Sequence, residues 1–135
     1  MAINSPYRTQ AELILEALKN LGIIAAGQPV DPEDFSYVNE KIDPIFRQLM
    51  GLEIVAVPDP NNIPAAWFSS LADIVAGECA TKFGLVGKDL EDKINKGLGG
   101  AAGTGVPIGA GTAAQALKIM TRGRPTYEPQ RFVNY

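Results

Sequence analysis

The chain has 135 residues, 46% of them hydrophobic, and a formal net charge of −3 at pH 7. This length fits one domain with a sizeable core, and a mean hydropathy of +0.02 excludes a membrane-like chain and a chain disordered throughout. Histidine is absent, which removes the commonest general base and the commonest metal ligand. No apolar run is long and pure enough to span a bilayer, and the first residues lack the apolar core of an export signal.

The first predicted helix covers residues 9–21. Thr9 with Glu12 three residues later is a capping-box pattern, and apolar residues then repeat at helical spacing. Gly22 is a natural helix stop. Residues 23–30 are predicted to be a connection whose isoleucines tuck under the helix.

The second predicted helix covers residues 31–49, with Asp31 as its cap and Pro32 in its first turn. Pro44 lies inside the pattern, so we expect a kink or a break near residues 41–43. Apolar side chains recur along one stripe: Phe35, Val38, Ile42, Ile45, Phe46 and Leu49. Residues 52–62 follow as a short extended piece, weakly typical of a strand at 54–57, and then a turn.

Residues 63–83 form the longest nearly uninterrupted apolar run, and they predict a central helix with a broad face in the core. Pro64 suits the first turn, and Gly84 suits the left-handed position that ends a helix. Six side chains share the apolar face: Trp67, Phe68, Leu71, Ile74, Val75 and Cys79. Because Cys79 is the only cysteine, an intramolecular disulfide is impossible and a buried structural thiol is expected.

Five residues of this helix are candidates for a subunit interface. The face that carries Ser70, Asp73 and Gly77 permits close approach of another helix, from either the next subunit or the same chain. Glu78 and Lys82 are spaced i,i+4 and can pair. That pair lies either at an exposed helix end or against a neighbouring chain.

Residues 88–96 are predicted to form a short polar helix, and residues 112–121 a last short helix. Between them, residues 97–111 hold seven glycines and predict a flexible loop, ordered only by a partner if at all. The predicted fold is therefore all-α: a bundle of four to five helices in residues 1–121. Residues 122–135 form an extended C-terminal arm, in which two prolines prevent a helix.

Catalytic chemistry finds little support in the residues. Residues 97–102 formally match G-x-G-x-x-A, but the segment before them is polar and helical rather than a strand. The acidic clusters are explained as helix caps or solvated faces, and no histidine activates the serines. We therefore predict no enzyme, no cofactor and no metal site; an enzyme acting on a ligand held by the glycine loop is the weakest alternative.

The charge is divided unevenly along the chain. Residues 118–135 carry four basic side chains and one acidic, whereas the rest carries eight basic and fourteen acidic. A basic, aromatic arm on an acidic body indicates docking to an acidic partner, either a protein or, with less support, a nucleic acid. The candidate docking residues are Arg122, Arg124, Tyr127, Arg131, Phe132 and Tyr135.

Two stretches carry a family resemblance: ALKNLGIIAAGQPVDPEDFSYVNEKIDPIFRQL at 17–49 and LADIVAGECATKFGL at 71–85. The chain has four features in this order: a helix that ends in L-G, an A-A-G-Q-P link, a helix capped by Asp, and a helix rich in small residues that ends in F-G. The order resembles the head-to-tail adaptors of tailed bacteriophages. The closer likeness is to the packaged-DNA stabilisation or tail accessory factor of short-tailed phages, and the looser one is to the head-completion connectors of long-tailed phages. It covers about the first two-thirds of the chain, and residues 97–111 depart from it.

The resemblance implies a structural protein of the virion, present in the host cytoplasm during assembly. Such adaptors form a ring, typically of twelve copies, under the portal protein, and their C-terminal arms reach along the portal. The implied partners are the portal, other copies of the chain, a downstream tail or nozzle protein, and genomic DNA that passes without sequence-specific binding. A small helical regulatory or nucleic-acid-binding domain remains the alternative.

Overall fold

The computed structural model describes residues 6–24 and 27–122, without the side chain of Arg122. Within these ranges it contains five α-helices: α1 Gln10–Asn20, α2 Pro32–Gly51, α3 Ala65–Cys79, α4 Gly87–Lys96 and α5 Thr112–Arg122. Two strands of two residues each, β1 Tyr7–Arg8 and β2 Ile63–Pro64, pair antiparallel. The predicted all-α fold of four to five helices is confirmed.

Helix α1 begins as the capping box predicts. The Thr9 side chain accepts a hydrogen bond from the Glu12 backbone N–H at 3.2 Å, and the Glu12 carboxylate accepts one from the Thr9 N–H at 2.8 Å. The helix ends at Gly22, whose φ of 75° lets the Ile23 N–H reach the Leu18 carbonyl at 3.0 Å. One side of α1 is wholly buried: Leu13, Ile14, Ala17 and Leu18.

Helix α2 runs through Pro44 as one helix of 20 residues, so there is no break near residues 41–43, and the alternative, a kink, stays a prediction. Pro44 and Glu40, whose carbonyl loses its helical partner, both lie on the exposed side of the helix. Water can therefore satisfy that carbonyl, and the proline costs less than it would inside the core. The opposite side is held by the buried stripe Val38, Ile42, Ile45, Phe46 and Leu49.

Helix α3 is the centre of the fold and packs against all four other helices. Its predicted position is confirmed, but the predicted boundaries need two corrections. Pro64 belongs to β2 and is the N-cap residue rather than part of the first turn, and after Cys79 the chain tightens into the 3-10 helix Ala80–Phe83. Gly84, with φ of 88°, ends the segment as predicted.

The weak strand signal at 54–57 is also wrong. Ile54 and Val55 are buried, but they lie in an irregular connection, and the two strands form elsewhere. Those strands, β1 and β2, pair with each other, and Tyr7 lies opposite Pro64. Burial alone, without a sheet partner, explains why these residues are apolar.

The glycine-rich segment connects α4 to α5, but it is not the unanchored loop that its composition suggests. The Leu98 carbonyl accepts hydrogen bonds from the backbone N–H groups of Gly109 at 2.8 Å and Gly111 at 3.1 Å. The Leu98 side chain is 1% exposed. A Cβ on Gly99 would lie 2.7 Å from the Pro107 carbonyl oxygen, so the glycine permits a close backbone crossing.

Candidate interaction surfaces

The small-residue face of α3 is covered by α4 of the same chain. A Cβ added to Gly77 would lie 2.7 Å from the Lys93 carbonyl oxygen and 3.2 Å from the Ile94 Cα. At the end of α4, a Cβ on Gly97 would lie 2.7 Å from the Asp73 carbonyl oxygen. The two backbones therefore touch at two points. The helix that approaches Gly77 closely in this structure is therefore α4 of the same chain.

Asp73 belongs to a polar network that joins α1, α3 and α4. The Asn20 side-chain amide donates a hydrogen bond to the Asp73 carboxylate at 3.0 Å, and the Lys96 ammonium lies 4.0 Å from the same oxygen. Lys93 donates to the Asn20 backbone carbonyl at 2.7 Å. Burial raises the pKa of the Asp73 carboxyl, against the opposing charges of the two lysines. Ser70 lies half-buried on the same helix.

Glu78 and Lys82 are both exposed, but they do not form the predicted i,i+4 ion pair. The change from α-helix to 3-10 helix after Cys79 alters the rotation between them, so their side chains no longer align. The Lys82 ammonium instead lies 5.3 Å from the ring centroid of Tyr37 on α2. Desolvation raises the pKa of the Glu78 carboxyl even though the residue remains exposed.

Tyr37 is the centre of a small aromatic and cationic cluster. Its ring also has the Lys41 ammonium 5.3 Å from the centroid, and it meets the Phe83 ring edge-on at 6.0 Å. Cation–π contacts of this kind contribute about 0.5–1 kcal/mol at exposed sites. The cluster joins the 3-10 helix that follows α3 to α2. The i,i+4 spacing of Tyr37 and Lys41 on α2 could have predicted their contact from the sequence. The contact between Tyr37 and Lys82 joins distant parts of the chain and could not.

A shallow apolar groove lies between the second half of α2 and residues 56–60; we call it the α2 groove. It has a volume of about 450 Å³ and is lined by Asp43, Phe46, Arg47, Met50, Ala56, Val57, Pro58 and Pro60. Met50 is 57% exposed, whereas Phe46 is only 7% exposed and forms part of the core. At the rim, the Arg47 guanidinium donates to the Asp43 carboxylate at 2.8 Å. Sequence periodicity did not indicate this groove, because half of its wall is irregular.

A second, smaller hollow adjoins the α2 groove and shares Met50 and Ala56 with it. Thr121, at the end of α5, lines this hollow, and its hydroxyl oxygen lies 2.9 Å from the Leu117 carbonyl oxygen of the same helix and 3.2 Å from the Ile54 carbonyl oxygen. Glu53 also lines this hollow and has a φ of 59°, which is uncommon for a residue other than glycine. The chain therefore leaves the described part of the fold beside the groove.

The exposed surface of α2 and its cap is acidic. Four exposed acidic residues, Asp31, Glu33, Glu40 and Asp43, compare with two exposed basic ones, Lys41 and Arg47. Such a surface repels nucleic acid, whose binding depends on phosphate neutralisation by cations. It does not disfavour a basic protein segment.

Six predicted docking residues belong to the arm. Arg122 ends α5, but its side chain is outside the described residues, as are Arg124, Tyr127, Arg131, Phe132 and Tyr135 in full. Their role stays a prediction. Among the residues that the structure describes, no group of three or more acidic, cysteine or histidine side chains is placed to hold a metal ion. No helix of the described ranges is long and apolar enough to cross a membrane.

Comparisons with protein-family models, with curated proteins and with solved structures found no match to this chain.

Proposed function

We propose that this protein is a structural head-to-tail connector of a tailed bacteriophage, one copy of a ring that binds under the portal and extends its DNA channel. The proposal rests on the sequence resemblance described above. The single observation that carries it is the division between an acidic helical body and a basic, aromatic segment, residues 118–135, that begins within α5. In this role the body provides the ring, and the arm provides the contact with the portal.

The acidic surface of α2 supports this role on electrostatic grounds. Packaged DNA must move past the channel wall without binding to it. A wall with few cationic side chains neutralises few phosphates and displaces few counterions from the DNA, so it binds DNA weakly. The exposed part of α2 has that character. The arm offers the opposite properties, because arginine and aromatic side chains are enriched at protein interfaces that carry large binding energies.

The test is binding to the portal protein of the phage that encodes the chain. The purified chain should cosediment with portal rings and appear in electron micrographs as added density on one side of the ring. Deleting residues 126–135 should abolish this density while circular dichroism still shows a helical protein. Portal binding that survives the deletion would contradict the assignment of the arm.

The nucleic-acid-binding alternative is distinguished by a salt series. A DNA-binding domain that neutralises several phosphates shows a steep fall of affinity with salt concentration. The connector is expected to show little affinity for duplex DNA even at low salt. Tight and strongly salt-dependent DNA binding by the whole chain, together with no portal binding, would overturn the connector proposal.

A further inference from the structure

The α2 groove exposes apolar surface that the described part of the chain leaves uncovered. Met50 lines it from α2, and Val57 and Pro58 line it from the irregular connection. Its volume of about 450 Å³ falls in the range of pockets that bind ligands. Met50 has an unbranched, adaptable side chain, which suits a surface that repacks around an incoming group.

The end of the described chain lies next to this groove. Thr121 lines the hollow that shares Met50 and Ala56 with the groove, and its hydroxyl oxygen lies 3.2 Å from the carbonyl oxygen of Ile54, two residues before Ala56. Residues 123–135 therefore start within a few residues of it. A glycine at position 123 gives the backbone freedom to turn there.

We propose that residues 123–135 bind in the α2 groove of their own chain when the protein is free in solution. The inference depends on the groove and on the place where α5 ends, and not on the connector role. It assigns the groove an occupant of stated chemistry: an extended, proline-containing segment with aromatic side chains.

The dimensions fit this occupant. From Asp43 to Met50 the helix rises about 10 Å, at 1.5 Å per residue. An extended segment advances about 3.3 Å per residue, so four residues such as 125–128 are enough to cover it. Tyr127, six residues beyond Thr121, is within about 20 Å of contour length and can reach the far end of the groove.

The side chains also fit. The segment has three aromatic residues, and aromatic rings bury large apolar areas against methionine, valine and proline. The prolines at 125 and 129 favour an extended backbone before binding, which lowers the entropy lost on docking. Tethering by α5 adds an effective concentration on the millimolar scale, so weak contacts suffice.

The charges are complementary. Residues 43–59, which carry the groove and its adjoining hollow, hold Asp43, Glu53 and Asp59 against Arg47 alone. Residues 123–135 hold two arginines against one glutamate. Asp43 already pairs with Arg47, but the stretch keeps a net charge of −2 and therefore attracts a segment whose net charge is +1.

The first experiment uses the full-length chain with Asn134→Cys and a nitroxide attached to the new thiol. Cys79 is 1% exposed and stays unlabelled. In the NMR spectrum, the backbone amide signals of residues 46–50, 56 and 57 should broaden, and those of α4 should not. Broadening nowhere in the described residues would overturn the proposal.

A mixed sample shows whether the segment in the groove comes from the same chain or from a second copy. Nitroxide-labelled chains without ¹⁵N are mixed with ¹⁵N-labelled chains without nitroxide. Docking within one chain predicts no broadening in this mixture. Broadening of the groove signals there would show that the segment of a second copy fills the groove, and the proposal would be wrong.

The second experiment compares Met50→Gln with Ile119→Gln, a matched control on the exposed side of α5. Both residues are well exposed, at 57% and 69%, so neither substitution disturbs the core, and glutamine adds no charge that could attract the segment. Trypsin cleavage after Arg131 should be about tenfold faster in Met50→Gln than in the unaltered chain, because docking limits access to the bond. The Ile119→Gln chain should be cleaved at the unaltered rate.

Equal cleavage rates in all three proteins would refute the docking, as would equal acceleration by both substitutions. These measurements contain no portal protein. A failure of the connector proposal in the portal experiment therefore leaves them unaffected, and the reverse also holds.

Discussion

The closest backbone contact between α3 and α4 provides the sharpest test of the fold. We predict that Gly77→Ala destabilises the protein although alanine is the better helix former. The new Cβ would lie 2.7 Å from the Lys93 carbonyl oxygen, so α4 must retreat by about 0.7 Å to restore ordinary van der Waals contact. Gly97, in contact with the backbone of Asp73, restrains that movement at the other end of α4.

The magnitude follows from two opposing effects. Replacing glycine by alanine inside a helix gains about 0.8–1 kcal/mol from propensity. Overpacking of a close contact costs about 1–3 kcal/mol. Gly51, at the end of α2, is the matched control, because a Cβ there meets nothing within 4 Å and only the gain applies. The free energies of unfolding of the two variants should therefore differ by about 1–3 kcal/mol, with Gly77→Ala the less stable.

The assay is urea unfolding followed by far-UV circular dichroism, with unchanged m-values as evidence that both variants remain two-state. The comparison is sound because the substitution is the same at both sites. If Gly77→Ala is as stable as Gly51→Ala, the two helices do not cross in backbone contact and the reasoning fails.

Three further outcomes are expected. Glu53→Gly should raise the free energy of unfolding by about 0.5–1 kcal/mol in the same assay, because a left-handed φ of 59° strains glutamate but not glycine; no gain would show that the strain is absent. Because burial raises the pKa of Asp73, its carboxylate destabilises the native state progressively as pH rises from the ordinary aspartate pKa through the raised one. The free energy of unfolding of Asp73→Asn minus that of the unaltered chain should therefore increase across that pH window and then level off. A difference that does not depend on pH would contradict the raised pKa. Cys79, whose pKa burial raises to about 11, should resist alkylation in the native protein and react on unfolding; native-state labelling at the unfolded rate would exclude a buried thiol.

The helices could be predicted because their signals are local. A capping box spans four residues, and Asp31 followed by a first-turn proline needs no distant partner. The buried stripe of α2 likewise repeats within one element. Its continuity through Pro44 could not be predicted, because the cost of that proline depends on whether water reaches the Glu40 carbonyl, which is decided by the tertiary packing.

The glycine-rich segment shows a different limit. Glycine suits a flexible linker because it restricts the backbone little, and it suits a tight crossing because it has no side chain. Composition is the same in both cases. The structure selects the second, since the Leu98 side chain is buried in the hydrophobic core and its carbonyl accepts hydrogen bonds from Gly109 and Gly111. A single leucine among glycines does not by itself predict an ordered loop. It does so only once the two ends of the loop are known to be hydrogen-bonded to each other.

The candidate surfaces depended on contacts between distant residues, and sequence reasoning found them only in part. The Lys82 contact with Tyr37 joins two helices, and the α2 groove joins a helix to an irregular connection. Neither feature produces a periodic pattern of residues in the sequence, so neither could be predicted from it. Gly77, in contrast, was recognised as a site of close helix approach; the identity of the approaching helix was the part that only the fold could decide.

The two proposed roles of the arm are compatible only under a limit on the strength of self-docking. If the groove holds the arm in all but a fraction f of molecules, the apparent dissociation constant for any partner that needs the arm rises by 1/f. A tenfold preference for the groove weakens partner binding about tenfold, or about 1.4 kcal/mol. A deep, closed pocket would hold the arm too firmly, whereas an open groove with a half-exposed methionine wall provides weak, tether-assisted binding. The shallow form of the α2 groove is therefore what a releasable arm requires.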